Sequence, residues 1–199
     1  MSILRNIAFA TIFSAISFGP TFAAEIANPE SASDNLIRTA LWRATTDDLG
    51  SSFQTGEELI EEGIAKVTFT IAVKEEEDEW PYVELICETG MDLSEVQGME
   101  IVYRCTSPLI IKLSQSDFGY EGNQTYSHYE YTAPASEEWN TVQISISDFT
   151  QPDWAPEDSR AIPLKMENVP DIYLVPALDY TTGESGTVEV KSLLLYGAK

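Results

Sequence analysis

Read with the two-residue period of a β-strand, the middle and later parts of the chain set a particular group of side chains apart from the apolar ones. In MEIVYRC (residues 99–105) Met99, Ile101, Tyr103 and Cys105 share one side and leave Arg104 on the other. In YSHYEYT (126–132) Tyr129 and Tyr131 share the apolar side, with His128 and Glu130 opposite. In TVQISI (141–146) Val142, Ile144 and Ile146 oppose Thr141, Gln143 and Ser145, and GTVEVK presents Glu189 and Lys191. The polar sides together offer Arg104, Lys112, His128, Glu130, Gln143 and Tyr173. A planar guanidinium, an amide and a carboxylate reach hydroxyl groups well, and a tyrosine ring stacks on a flat apolar surface. That combination suits a neutral, polyhydroxylated ligand, with Arg104 and Glu130 pairing and presenting their free edges to it.

Rival chemistries find less in the chain. Retaining glycoside hydrolysis needs two carboxylates about 5–5.5 Å apart. On one strand that means acidic residues at i and i+2, and none of the strand-like runs has them. The acidic tract KEEEDE (74–79) reads as a solvated loop. With one histidine and no Gly-x-Ser-x-Gly, a serine triad has no support, and the chain reads as a non-enzyme.

The elements that must carry these residues are β-strands. Runs at 65–73, 82–87, 99–105, 109–114, 126–132, 141–146, 171–178 and 186–197 are separated by turn signals, which predicts an all-β antiparallel sandwich of jelly-roll type. Helix is expected only as a turn or two in TGEELIEEG (55–63). Residues 1–24 carry Arg5, an apolar run from Ile7 to Phe18, a Gly-Pro break and small residues at Ala23 and Ala24, the pattern of a secretory signal peptide. The apolar run is too short for a membrane span and no cysteine follows it, so a secreted or periplasmic protein without a lipid anchor is expected. Residues 25–41 read as a lead-in and 42–199 as one domain of ordinary size.

The net charge of −22 and pI near 4.1 argue against nucleic acid, anionic membrane and acidic polysaccharide as partners. Cys87 and Cys105 end two strand-like runs. If those strands pair directly the cysteines can lie opposite each other and bridge; if they belong to different sheets they are two small buried hydrophobes.

The order DLSEVQGMEIVYRC, LIIKLSQ, SEEWNTVQISISDFTQPDW, IPLKMENVPDIYLV and GTVEVKSLLLYG resembles galactose-binding-like jelly rolls. More narrowly it resembles the carbohydrate-binding modules of bacterial plant-wall glucanases and the complex I intermediate-associated protein group. The upstream WRATTDDLGSS fits the lead-in of such domains, so the resemblance runs from Trp42 to Gly197. It implies that Trp139 packs structurally, that the polar side of the strand after it lines a concave groove, and that Trp154 stands at a rim. It further implies one structural calcium, for which Asp47 or Asp48 with the LGSS turn, and Glu189 from the last strand, are the candidate ligands. The function implied is non-catalytic binding of a neutral plant-wall polysaccharide or oligosaccharide, alone or beside a secreted glycoside hydrolase complex. A secreted protein-interaction, adhesion or envelope-scaffold module on the same fold is the alternative.

Overall fold

The computed structural model describes residues 32–76, 79–177 and 183–197. Eleven strands run in the order β1 (Leu41–Thr46), β2 (Ser52–Gln54), β3 (Ile60–Glu61), β4 (Ile64–Thr70), β5 (Val83–Glu88), β6 (Gly98–Cys105), β7 (Leu109–Leu113), β8 (Tyr129–Ala133), β9 (Ser136–Ser145), β10 (Asp171–Pro176) and β11 (Ser185–Tyr196). Two four-residue helices, α1 (Leu36–Thr39) before β1 and α2 (Glu157–Arg160) between β9 and β10, are the α-helical segments among the described residues.

The strands form two antiparallel sheets. The five-stranded sheet has the order β1-β5-β10-β7-β8, and the larger one β2-β4-β11-β6-β9 with β3 paired to β4. Their inner faces meet in one core, which Ile172, Leu174, Leu85, Cys87, Ile111 and Leu113 supply from one side and Val67, Phe69, Met99, Ile101, Tyr103, Val190 and Leu193 from the other. Burying each such side chain is worth about 1.5–3 kcal/mol, so the alternation is held by many contacts at once. The Tyr103 hydroxyl inside this core donates to the Pro134 carbonyl at 2.5 Å. Strand β11 keeps its apolar side inward along its whole length only because it carries an irregularity between Val190 and Ser192. The extra residue, Lys191, is exposed, and the inward set changes from Val188 and Val190 to Leu193 and Leu195.

Several expectations change. TGEELIEEG is not helical: Ile60 and Glu61 pair with Ala65 and Ile64 across a two-residue turn in which Glu62 (φ 52°) and Gly63 (φ 78°) are both left-handed. That backbone matches the twist of a tight hairpin, and it outweighs the helix preference of the glutamates. Strands β1, β2 and β3 escaped the sequence reading. The described part of the lead-in is tied down rather than loose. Ala32 bridges Tyr196, and Leu36 and Ile37 are buried. The Asn35 side chain accepts from the Ile37 and Leu193 amides, both at 3.1 Å, and donates to the Lys191 carbonyl at 3.0 Å, closing the open backbone at the β11 irregularity. Residues 1–24, read from the sequence as a signal peptide, lie outside the described segments.

The two cysteines do not bridge. Cys87 is on β5 and Cys105 on β6, strands of different sheets, and both thiols are free and buried. Burial pushes both thiols up, away from the reactive thiolate. Thiol titration should therefore find both cysteines blocked in the native protein and two thiols after denaturation; a denatured protein with none would restore the bridge. Asn35→Ala removes three hydrogen bonds at the start of the domain and should lower stability by about 1–3 kcal/mol in urea unfolding. An unchanged midpoint would mean that the N-terminal segment does not close the sheet.

Candidate functional site

Because inward residues on the five-stranded sheet are fixed by the core, the residues between them form rows across its outer face. One row runs Arg43, Ile86, Tyr173, Lys112 and Glu130, each the register partner of the next. Beside it lie Leu41, Glu88 and Asp171, and on the other flank Thr45 with Glu84, and Val175 with Ile110 and Thr132. Ile86 and Val175 point away from the core, yet they are only 2% and 4% exposed. An apolar side chain on an outer face loses that much solvent only when its neighbours rise above it, so the surrounding rows stand up and cover Ile86 and Val175, and this face is a trough walled by those rows.

The walls are ionic and aromatic. Arg43 donates through Nε to Glu88 Oε1 at 2.8 Å, and Lys112 Nζ stands 3.6 Å from Glu84 Oε1. Four carboxylates, Glu84, Glu88, Glu130 and Asp171, share two cations. Burial raises the carboxyls of Glu84, Glu130 and Asp171 above their ordinary values; Lys112 opposes this at Glu84 and Glu130, and Arg43 at Asp171, where the facing Glu88 adds to the rise. Such groups gain from any ligand that donates hydrogen bonds to them. His128 precedes β8 and is 6% exposed. Its ring lies 6.0 Å from Tyr173, 6.1 Å from Phe118 and 6.4 Å from Tyr126, edge-on to all three. Its Nδ1 is buried without a hydrogen-bond partner among the described residues. Burial raises the Tyr82 phenol, and the charges of Glu84, Asp47 and Asp48 add to it.

Trp154 is 55% exposed and lies on the segment that pairs with the edge of this face. Thr150 bridges Glu130 on the edge strand, and the Arg160 guanidinium of α2 donates to the Asp153 carbonyl at 2.5 Å and the Ala155 carbonyl at 2.9 Å, gripping the chain on both sides of the tryptophan.

Lys112, His128, Glu130 and Tyr173 are thus brought together as the sequence suggested, with Trp154 on the segment that pairs with Glu130 through Thr150, but Arg104 and Gln143 are not. Both lie on the outer face of the other sheet. The Arg104 guanidinium is hydrogen-bonded to Glu189, its register partner, which Lys66 also approaches at 3.4 Å, while Gln143 Nε2 donates to Glu100 at 2.9 Å. Arg104 and Glu130 therefore do not pair. Trp139 is not a core residue either: Arg104 and Lys191 stand against its ring at 4.9 and 4.8 Å. Two-residue alternation separates inside from outside, but it does not say to which sheet a strand belongs. The sequence reading also passed over Arg43, Glu84, Glu88 and Asp171. The first sits on an unrecognised strand; the others flank Ile86 and Tyr173, where outward apolar residues blur the alternation.

The calcium set does not gather. Asp47 accepts backbone N–H groups from Leu49 at 2.8 Å, Ser51 at 3.2 Å and Tyr82 at 2.5 Å, and these bonds, with the Ser51 side chain, hold its carboxyl low although burial works against them. Glu189 is committed to Arg104 and Lys66 on the opposite face, and among the described residues no group of three or more His, Cys, Asp or Glu side chains is placed to hold an ion. A separate groove of about 510 Å³ opens on the larger sheet between Gln54, Glu58, Leu59, Glu61, Lys66 and Glu189. It has no aromatic ring in its lining, so it lacks the stacking surface that the trough has.

Burial, with some help from Lys112, holds the His128 imidazole down to about 4 from an ordinary 6.5. The unfolded chain thus takes up the proton first. The stability that His128 contributes is complete above pH 6.5 and is lost as the pH falls towards 4, up to about 3 kcal/mol over the window. His128→Phe should flatten the decline in stability between pH 7 and 5 in urea unfolding; parallel curves for parent and variant would show that the imidazole titrates normally.

No family model matches the chain, and no curated protein matches it in sequence. Among solved structures, the family 11 carbohydrate-binding module of the cellulosomal cellulase Lic26A-Cel5E of Clostridium thermocellum aligns over 79% of this chain and 88% of its own, with 18% identity and a TM-score of 0.57. A family 11 module from the same organism in complex with a β-1,3-1,4-mixed-linked tetrasaccharide aligns over 79% and 89%, at 18% identity and a TM-score of 0.56. The fold of this chain is that of these modules, an antiparallel β-sandwich.

Proposed function

We propose that the protein is a secreted, non-catalytic binder of a neutral plant-wall-type polysaccharide, held in the trough of the five-stranded sheet. The observation that carries this reading is the half-buried Tyr173 ring held outward on this face among carboxylates and cations, with Arg43 2.8 Å from Glu88 and Lys112 3.6 Å from Glu84. A sugar ring offers an apolar face to the Tyr173 ring and hydroxyl donors to Glu130 and Asp171. The likeness of fold to carbohydrate-binding modules supports it, as does the export pattern of residues 1–24. The carboxylates serve here as hydroxyl acceptors. Glu88 faces Asp171 across β5 and β10 but is engaged by Arg43, and incubation with polysaccharide should release no reducing ends. Action beside a secreted glycoside hydrolase fits the same reading, since one of the similar modules belongs to a cellulase.

Shallow troughs bury little area, so dissociation constants of about 10–1000 µM are expected, equivalent to roughly 4–7 kcal/mol. In titration calorimetry with soluble β-glucan, Tyr173→Ala should weaken binding by about 1–3 kcal/mol, the loss of one stacked ring and its contacts. Arg104→Ala, on the other sheet, should bind like the parent. Equal loss in both variants would move the site off this face, and no heat with any soluble glucan, xylan or mannan would remove the reading.

A further inference from the structure

The loop between β7 and β8 contains backbone that its side chains do not favour. Gln124 (φ 58°) and Tyr126 (φ 54°) are both left-handed, a conformation that bulky L-residues seldom adopt and that persists only where the surroundings over-determine it. Here they do. Thr125 Oγ1 lies 2.8 Å from Asn123 Oδ1, 2.8 Å from Ser127 Oγ and 2.9 Å from Ser159 Oγ, and Asn123 Nδ2 donates to Ser159 Oγ at 2.9 Å. The Gln151 amide fastens the Ser159 carbonyl at 3.0 Å, and the Tyr126 amide returns to the Phe118 carbonyl at 2.9 Å. What this network holds is a tyrosine that is 54% exposed. A side chain placed for packing would be covered; this one is held out beside His128, whose Nδ1 is buried and unpartnered among the described residues.

We propose that Tyr126 and His128, together with Tyr173, form a sugar subsite over the trough, in which the Tyr126 ring is the stacking platform and, turned aside by the ligand, opens the buried His128 Nδ1 to a ligand hydroxyl. This rests on the saccharide reading of the trough and adds to it the residues that select the ligand. The three rings stand 6.0–6.4 Å from the imidazole and nearly perpendicular to it, so they exclude water from its flanks and leave Nδ1 dependent on a group brought from outside. A hydroxyl suits this position because it both donates and accepts, and so serves either imidazole tautomer. A saccharide that presents no hydroxyl there leaves a buried nitrogen unpaired and is rejected on that account.

The test uses the mature protein with four probes: the mixed-linked β-1,3-1,4-glucan tetrasaccharide, cellohexaose, xylohexaose and mannohexaose. Tyr126→Gly relieves the left-handed strain and removes the ring; His128→Phe keeps an aromatic in the cluster and removes the orphan nitrogen. Each should lower affinity for the bound probe at least fivefold while the melting temperature stays level or rises. That pairing separates the proposal from a structural role, in which both variants would lose stability. If the parent binds a probe and both variants bind it equally well, or if affinity falls only in step with a falling melting temperature, the subsite is overturned while the trough reading stands. If the parent binds none of the four, the trough reading falls and the subsite with it.

Discussion

Strand β10 is hydrogen-bonded to β5 on one side and β7 on the other, and the register of those two pairings decides what the molecule can present. Ile172 and Leu174 are completely buried, and they leave Asp171, Tyr173 and Val175 no direction but outward. A slip of one residue would put a carboxylate and a phenol into the core and two aliphatic side chains on the surface, at a cost of several kcal/mol for the unpaired polar groups alone. The same lock aligns Arg43, Ile86, Lys112 and Glu130 with Tyr173, residues from four other strands that are far apart in sequence. The trough is therefore a by-product of core packing, and its geometry is as rigid as the sandwich beneath it.

Charge works against this arrangement. A chain of net charge −22 places four carboxylates around a floor that is largely shielded from water. Facing Glu88 and Asp171 across paired strands is unfavourable by itself, and Arg43 relieves only one of them directly. Burial is the main cause that raises the carboxyls of Glu84, Glu130 and Asp171; a like charge adds to it at Asp171, from Glu88, and at Glu130, from Asp153, but not at Glu84. Elsewhere the same chemistry is resolved locally. Asp117, with Asn168, Lys165 and Gln115 all donating to it, sits well below the usual carboxylate range and braces the loop that leads to Tyr126.

How much of this was legible in the sequence depended on the question asked of it. Alternation assigned the inner and outer sides of β6, β8 and the centre of β9 correctly, since each has one face committed to the core. It did not distinguish two outer faces, and so it merged Arg104 and Gln143 with His128 and Tyr173. Strand β1 was missed because LWRATT is short and its exposed Leu41 breaks the pattern. Gly63 was the available signal for the β3–β4 hairpin, but it stands after glutamates that favour helix. Trp139 was assigned to the core by resemblance alone, and in this chain Arg104 and Lys191 give it a different surrounding on the outer face. Tyr126 was read as part of a strand, because nothing in a residue's type announces a left-handed backbone.

The two outer faces differ in how far they satisfy themselves. On the larger sheet Glu189 has Arg104 and Lys66, Glu100 has Gln143 and the Tyr196 hydroxyl, and Trp139 has two cations. Each strong group there has found a partner within the protein, so a ligand would have to displace contacts already made. On the five-stranded sheet the imidazole of His128 has an unpaired nitrogen and the carboxyls of Glu130 and Asp171 are pushed towards neutrality by burial. Polar groups left short of partners lower the stability of the free protein and strengthen binding to whatever completes them. By that argument the face whose polar groups still lack partners is the one adapted to an outside molecule, although each face holds two ion pairs.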